Sequence, residues 1–225
     1  MAHPDDVDFG SAGTMAHLVA QGVQVTYCLV TDGDAGGSDR TMPRDEMAAL
    51  RRHEQTAAAK AVGVTDLVFL GYPDGRVEPT LELRRDISRV IREVRPKVVV
   101  CQSPERNLDR VFASHPDHLA AGEAAMCAVY PDARNPFAFP ELLDAGHEPW
   151  TVEEVWLSGH AEPTDVVDVT DHVDLKFDAL LSHASQHPDP DGMQLRVREW
   201  MRLTAVAGGL VDGQMAEAFR VVRTG

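Results

Sequence analysis

Apolar runs of strand length alternate with helical patterns along the first half of the chain, and this alternation is the feature that most constrains its fold. The runs VQVTYCLVT (23–31), DLVFLG (66–71) and KVVVCQ (97–102) are rich in β-branched residues and predict buried strands. Helical spacing lies between them, over 44–62 and 80–95. Strand, loop and helix in repetition are typical of βαβ units, so we predict an α/β fold whose mostly parallel sheet has helices on both faces.

The second half of the chain is less regular. Residues 131–150 are rich in proline and turn formers and predict an irregular excursion between a core at 1–130 and a C-terminal part at 151–225. The C-terminal part has further predicted elements: strands at 153–159 and 166–169, helices at 171–185 and 193–207, and an edge strand at 219–223. No linker or repeat interrupts the pattern, so we expect one domain over 1–225.

Composition excludes several classes of partner. The net charge of −15 argues against nucleic acid, whose phosphates need a basic surface. No apolar run is long enough to span a membrane. Cys28, Cys101 and Cys127 are far apart and form no CxxC pair, so we expect neither a disulfide framework nor a thiolate zinc site, and a reducing cytoplasm as the location. The expected partner is a small molecule, and a homo-oligomer stays open.

Two His-Pro-Asp motifs stand out, HPDD at 3–6 and HPDH at 115–118. Each lies at a predicted strand-to-helix junction, and ligands of parallel sheets bind in the loops at the carboxyl ends of strands. Histidine and carboxylate are the ligands that zinc takes in catalytic sites, where three protein ligands leave room for water. His3 and Asp6 lie three residues apart on a tight turn, and His118 would supply the third ligand from the other loop.

A metal ion would also explain why two carboxylates are adjacent. Asp5 and Asp6 repel each other, and a divalent cation offsets that repulsion. One carboxylate could then bind the ion while the other acts on water. The alternative is that Asp5 and Asp117 simply cap helices, since aspartate after proline is a frequent N-cap residue.

The two motifs belong to a larger set of segments spread from residue 2 to residue 186. These segments are AHPDDVDFGSAGT (2–14), LVTDGDAGG (29–37), RRHEQTAAAKAVGV (51–64), VFLGYPDG (68–75), SHPDHLAAG (114–122) and KFDALLSHASQ (176–186). In this combination and order, the sequence resembles the PIG-L/LmbE-like family of zinc-dependent N-deacetylases, and the resemblance covers most of the chain. It implies a Rossmann-like fold.

The resemblance also implies roles for the residues of both motifs. His3, Asp6 and His118 would bind one zinc ion per chain, with other divalent metals as alternatives. Asp5 would be the general base and accept the proton of the attacking water. His115 would steady the oxyanion or protonate the leaving amine. The substrate would be an N-acetyl or related N-acyl amino sugar or glycoside.

Two positions depart from the family pattern. Family members often carry glutamate directly after HPDD, whereas this chain has Val7 and then Asp8. Some relatives place a tyrosine before the second motif to help hold the oxyanion, whereas Ala113 and Ser114 occupy that stretch here. We therefore expect that role to be unfilled or to come from elsewhere.

Further polar residues have a functional and a structural interpretation each. The resemblance suggests that Arg51 points toward the site near Asp74; the alternatives are an ion pair with Glu54 one helical turn away and a simple Asp-Gly turn. Asp117 would orient a histidine or cap a helix, or do both.

The resemblance also suggests that His183 and Gln186 line the pocket. The structural alternative is that the segment holding them is only the polar end of a helix.

Two other functions stay open at this point. Adjacent aspartates also bind Mg²⁺ or Mn²⁺, so a metal-dependent phosphoesterase is one alternative. A non-catalytic carbohydrate-binding relative is the other. The leading expectation is a zinc-dependent hydrolase, because the motifs are rich in histidine.

The start of the chain is unusual for this fold. A buried strand should precede the HPDD turn, and only Met1 and Ala2 do so here. We therefore expect this first strand to be truncated, which an extended version of the chain would test by a gain in stability.

Overall fold

The computed structural model describes residues 1–37 and 39–225 and has the predicted α/β architecture. Its helices and strands in chain order are α1 (Asp6–Ala20), β1 (Thr26–Thr31), α2 (Arg44–Ala61), β2 (Asp66–Tyr72), α3 (Leu81–Val94), β3 (Val98–Gln102), α4 (Pro116–Cys127), α5 (Pro140–Asp144), β4 (Glu154–Ser158), β5 (Asp165–Asp168), α6 (Val173–Leu181), α7 (Pro190–Ala207) and β6 (Ala216–Arg223). Short 3₁₀ turns precede α4 and α6, at Val111–Ser114 and Thr170–His172, and a π turn follows α4 at Ala128–Asp132.

The strands fall into two sheets, where the sequence suggested one. β1 and β2 form a parallel pair, in which Thr26 is opposite Asp66. The other sheet has the order β3-β4-β6-β5, with β3 parallel and β6 antiparallel to β4. The predicted edge strand at 219–223 is therefore wrong in one respect, because β6 has a neighbour on each side. Strand order depends on contacts distant in sequence, which periodicity does not report.

The chain divides into two compact units. One comprises residues 3–74 and 164–218, and the other comprises residues 1–2, 75–163 and 219–225. We call them the first and the second unit.

In the first unit, α6 packs against α1 and α2. Its buried core is formed by apolar side chains from α6, α7 and the segment before them: Val169, Val173, Phe177, Leu180, Met193, Val197 and Met201. This unit also contains a fully buried lysine whose charge is paired. Lys176 Nζ donates to the carbonyl oxygens of Asp8 and Phe9 and pairs with Glu217 at 2.5 Å. Glu217 in turn accepts the backbone N–H groups of Gly13 and Thr14. This satisfied charge pair fixes α1 against α6.

In the second unit, α3 buries the face that its spacing predicted. Leu83, Ile87, Val90 and Ile91 are buried, whereas Val94 at the end of the helix is exposed. Arg92 lies on the same helix and is also buried. Its guanidinium donates to backbone carbonyl oxygens of the predicted excursion, at Asp132, Ala133, Asn135, Ala138 and His147. One arginine therefore organises a segment that contains little regular structure besides the short α5.

Across residues 1–37 and 39–225, no helix combines the length and the apolar composition that a membrane crossing requires.

Candidate functional site

His3 and Asp6 lie together on the turn that opens α1 in the first unit. The backbone N–H of His3 donates to Asp6 Oδ2 at 2.7 Å, and His3 Nδ1 lies 3.1 Å from the same oxygen. Two ligand atoms of one tetrahedral zinc ion, each about 2.0–2.2 Å from the metal, are about 3.3 Å apart. The separation of these two atoms therefore suits a shared cation.

The other ring nitrogen of His3 faces a carboxylate. His3 Nε2 lies 3.1 Å from Asp74 Oδ1. Metal-binding histidines characteristically direct their second nitrogen to a carboxylate or carbonyl, which fixes the ring and its tautomer. Asp74 is itself held, because its Oδ2 accepts the N–H of Ala35 at 3.2 Å and its own N–H donates to Asp34 at 2.9 Å. Asp74 thus does more than form a turn.

The two carboxylates create a demand for positive charge at His3. Burial alone would lower the pKa of His3, but the hydrogen bonds with Asp6 and Asp74 outweigh it and raise this pKa from 6.5 to about 10. For Asp74, burial acts to raise the pKa, but the hydrogen bond and charge of His3 prevail and lower it. A divalent cation would meet the same demand.

Asp5 precedes α1 in an unusual backbone conformation. Its φ of 84° and ψ of −26° lie in the left-handed region, and its side chain makes no capping hydrogen bond. The capping interpretation is therefore wrong for Asp5. Its carboxylate instead accepts a hydrogen bond from Arg51 Nη2 at 2.9 Å, and the same nitrogen donates to the carbonyl oxygen of Pro4.

The electrostatic surroundings of Asp5 make it a better base than an ordinary aspartate. Burial raises its pKa from 3.8 to about 7; Arg51 and His183 oppose this shift, whereas Asp6 and Asp8 add to it. A carboxyl group that titrates near neutrality is well matched to general base catalysis at that pH.

Arg51 is buried and contacts Asp5, so it lies beside the HPDD turn. The alternative ion pair with Glu54 is not formed: Glu54 accepts the N–H and hydroxyl of Ser185 at 2.8 and 2.7 Å. Arg51 also packs under the loop after β1. A Cβ on Gly33, whose φ is +65°, would lie 2.4 Å from Arg51 Nη1, so only glycine fits there.

The two residues proposed to line the pocket differ in placement. His183 is fully buried, with its Nε2 2.8 Å from Asp8 Oδ2, so it does not reach the surface of the site. Gln186 is partly exposed, and its Nε2 donates to Ser185 Oγ at 2.8 Å. Its Oε1 would lie 2.8 Å from a Cβ on Gly36, next to the loop after β1.

The second motif opens α4 in the second unit. His115 is the N-cap residue, and its Nδ1 accepts the backbone N–H of Asp117 at 3.1 Å. This bond leaves the proton of the neutral imidazole on Nε2. The His115 side chain is exposed.

Asp117 is buried and binds backbone amides. Its carboxylate accepts the N–H of Gly75 at 2.7 Å and that of Val77 at 3.2 Å. It lies within the first turn of α4, so it does not cap that helix through its side chain. Its own N–H donates to His115.

His118 has the arrangement expected of a metal ligand. Its Nδ1 lies 3.3 Å from the carbonyl oxygen of Ala113. Donation to that oxygen places the proton on Nδ1 and the lone pair on Nε2. The described residues that could take part in binding a metal ion are His3, Asp6, His115, Asp117 and His118.

Two residues of the site were not singled out from the sequence. Gln55 accepts the N–H of Asp5 at 2.8 Å and donates to Asp8 at 2.9 Å. Gln55 follows Arg51 by four residues, so helical spacing could have placed it on the same face. Asp8 was noted only as the residue that follows Val7, where the sequence departs from the family pattern.

Comparisons with known proteins identify a deacetylase family and deacetylase relatives of this chain. The model of the PIG-L family, described as GlcNAc-PI de-N-acetylase, matches residues 1–129. Diacetylchitobiose deacetylase from Thermococcus kodakarensis is 32% identical over 221 residues, which cover 98% of this chain and 80% of that protein. A probable N-acetyl-alpha-D-glucosaminyl L-malate deacetylase 2 from Bacillus anthracis is 31% identical over 191 residues, covering 82% of this chain and 78% of that protein.

One solved structure resembles nearly the whole chain. N,N'-diacetylchitobiose deacetylase from Pyrococcus horikoshii, in complex with its inhibitor MPG, superposes with a TM-score of 0.90 at 30% sequence identity. The match covers 98% of this chain and 81% of that chain.

Proposed function

Because this chain belongs to the PIG-L family, we propose that it is an N-deacetylase that hydrolyses the acetamide, or a related N-acyl group, of an amino sugar or glycoside. The family model and the deacetylase relatives support the reaction class. The observation that carries the proposal is the pairing of His3 and Asp6 at 3.1 Å, beside an Asp5 carboxyl whose pKa is raised to about 7.

We assign His3, Asp6 and His118 as the protein ligands of one divalent cation, with zinc as the metal that this donor set suits best. Both histidines have a second partner of the kind that metal ligands use, Asp74 for His3 and the Ala113 carbonyl for His118. When bound, such a cation supplies Lewis-acid polarisation of the amide carbonyl and lowers the pKa of water.

Asp5 then has two tasks. It accepts the proton of the attacking water, for which a pKa near neutrality is favourable. Arg51 holds the carboxylate during this step through its hydrogen bond. Once protonated, Asp5 can pass the same proton to the amide nitrogen, which must be protonated before the C–N bond breaks.

His115 acts on the developing negative charge. Its Nε2–H donates to the oxyanion, because the Asp117 N–H keeps Nδ1 an acceptor. We assign the protonation of the leaving amine to Asp5, which has already accepted the proton of the attacking water.

The test is an amine-release assay with added Zn²⁺ on a panel of N-acetyl amino sugars that includes diacetylchitobiose and N-acetylglucosaminyl malate. Wild type should release amine and lose activity on chelation. Absence of amine release across the panel, or release of phosphate from phosphate esters instead, would contradict the proposal.

A further inference from the structure

We propose that Gln55 is a positioning residue that holds the catalytic carboxylate of Asp5 through the protein backbone. This inference rests on the proposed function. Asp5 has a φ of 84°, a strained conformation that residues with a Cβ rarely adopt. Such a residue keeps its conformation only when its surroundings hold it there.

Gln55 makes the contact that can do this. The backbone N–H of Asp5 donates to Gln55 Oε1 at 2.8 Å, and Gln55 is fully buried on α2. This N–H lies at the start of α1, where the first amides have no partner within the helix. Gln55 on the neighbouring helix α2 therefore takes the place of a capping side chain. By accepting this N–H, it fixes the backbone orientation of Asp5.

The orientation of the Gln55 amide is fixed in turn. Its Nε2 donates to Asp8 Oδ2 at 2.9 Å, and the same oxygen lies 2.8 Å from His183 Nε2. Asp8 and His183 are fully buried. Because the Asp8 carboxylate only accepts, Gln55 must direct its NH₂ group toward Asp8 and its oxygen toward Asp5. The bonds thus run from His183 through Asp8 and Gln55 to Asp5.

This arrangement assigns a role to Asp8, which follows the departure from the family pattern at Val7, and to the buried His183. Both act at a distance from the substrate, through Gln55. A displacement of a reacting group by about 1 Å can cost on the order of 100-fold in rate. Loss of the Gln55 contact should therefore lower kcat while leaving substrate binding unchanged.

The central experiment compares Gln55→Leu with Val62→Ala, a control that removes buried apolar volume at the end of the same helix. For Gln55→Leu we expect kcat per folded, zinc-loaded chain to fall about 10–100-fold with KM within about twofold of wild type. Val62→Ala should lower the melting temperature and leave kcat per folded chain unchanged.

A conservative variant separates positioning from packing. Gln55→Glu in its protonated form can still accept the Asp5 N–H and donate to Asp8, so it should retain clearly more activity than Gln55→Leu. Equal losses in both variants, or loss of zinc from Gln55→Leu, would overturn the inference.

The contact between Gln55 and Asp5 can also be tested without measuring turnover. Hydrogen–deuterium exchange of a peptide covering residues 3–9 should speed up in Gln55→Leu but not in Val62→Ala. If wild type released no amine from any substrate, the proposed function would fail while this exchange still tested the contact. Unchanged exchange and unchanged kcat in Gln55→Leu would overturn the inference itself.

Discussion

The tripeptide His-Pro-Asp occurs twice in the chain, and its histidine and aspartate have different contacts in the two copies. In the first copy, Asp5 takes up a left-handed conformation, caps nothing and meets Arg51. In the second copy, His115 is the N-cap residue, and the buried Asp117 accepts two backbone amides. The histidine of the first copy lies against two carboxylates, whereas that of the second is exposed.

The motif therefore specifies a turn and not a role. Proline at the start of a helix and a polar residue beside it are compatible with several side-chain partners. The first copy has an arginine and acidic neighbours, which favour acid–base and metal chemistry. In the second copy, the Asp117 carboxylate accepts the backbone N–H groups of Gly75 and Val77. If this contrast holds, substitution of Asp5 should affect mainly catalysis, whereas substitution of Asp117 should affect mainly stability.

The largest effect should come from Asp5→Asn. Loss of the base should lower kcat/KM about 10²–10⁴-fold, with little loss of stability. Amine release and thermal melting measure the two effects, and the exposed Asp45→Asn serves as the matched control. An Asp5→Asn protein as active as wild type would remove Asp5 from the mechanism.

His115→Ala should follow, with kcat reduced about 10²–10³-fold because one donor to the oxyanion is lost. His115→Asn keeps a side-chain N–H donor and should recover part of the activity. His53→Ala, on an exposed helical position, should leave kcat unchanged. A loss of the same size in His53→Ala would point to a general effect of removing histidine.

Asp117→Ala should act mainly on stability. Two backbone donors lose their acceptor, so the free energy of unfolding should fall by about 2–4 kcal/mol. Urea denaturation measures this, against Asp144→Ala on the surface of the same unit. An Asp117→Ala protein of native stability but without turnover would reverse the contrast between the two motifs.

The smallest predicted effect concerns protons at His3. In the metal-free protein its pKa is raised to about 10, so it is protonated at pH 7–8 and must lose that proton to bind a metal. Zinc affinity should therefore rise about tenfold per pH unit in this range, with release of a proton detected by calorimetry in buffers of different ionisation enthalpy.

The raised pKa of His3 also makes the stability of the metal-free protein depend on pH. Because the folded pKa of His3 lies above 6.5, its protonation stabilises the metal-free fold fully below pH 6.5, and this stabilisation is lost as pH rises toward 10. Asp74→Asn removes one of the two acidic partners and should weaken both pH dependences. Zinc affinity independent of pH would contradict the protonated state of His3.

The sequence predicted the local part of this molecule well. Strand-length apolar runs and helical spacing predicted the α/β class, and the face of α3 from Leu83 to Ile91 is buried as expected. The spacing of HPDD predicted that His3 and Asp6 share a turn, which they do at 3.1 Å. These features depend on residues within one or two turns of each other, where periodicity and turn chemistry act directly.

The partners of those residues were harder to predict. Asp5 meets Arg51 and Gln55, some fifty positions along the chain, and Asp8 meets His183. Arg51 had an equally reasonable neighbour in Glu54, and only the packing of α2 against the HPDD turn decided between them. The strand at 219–223 likewise acquired two neighbours instead of one.

The amino-acid sequence was enough to predict the alternation of strands and helices, the two His-Pro-Asp motifs and the kinship with deacetylases, because each depends on short-range patterns of residue type. Only the tertiary structure showed that the Asp5 carboxylate contacts Arg51, whereas that of Asp117 accepts two backbone amides. The physical reason is that a carboxylate takes its pKa and its hydrogen bonds from groups that surround it in space, and those groups come from distant parts of the chain.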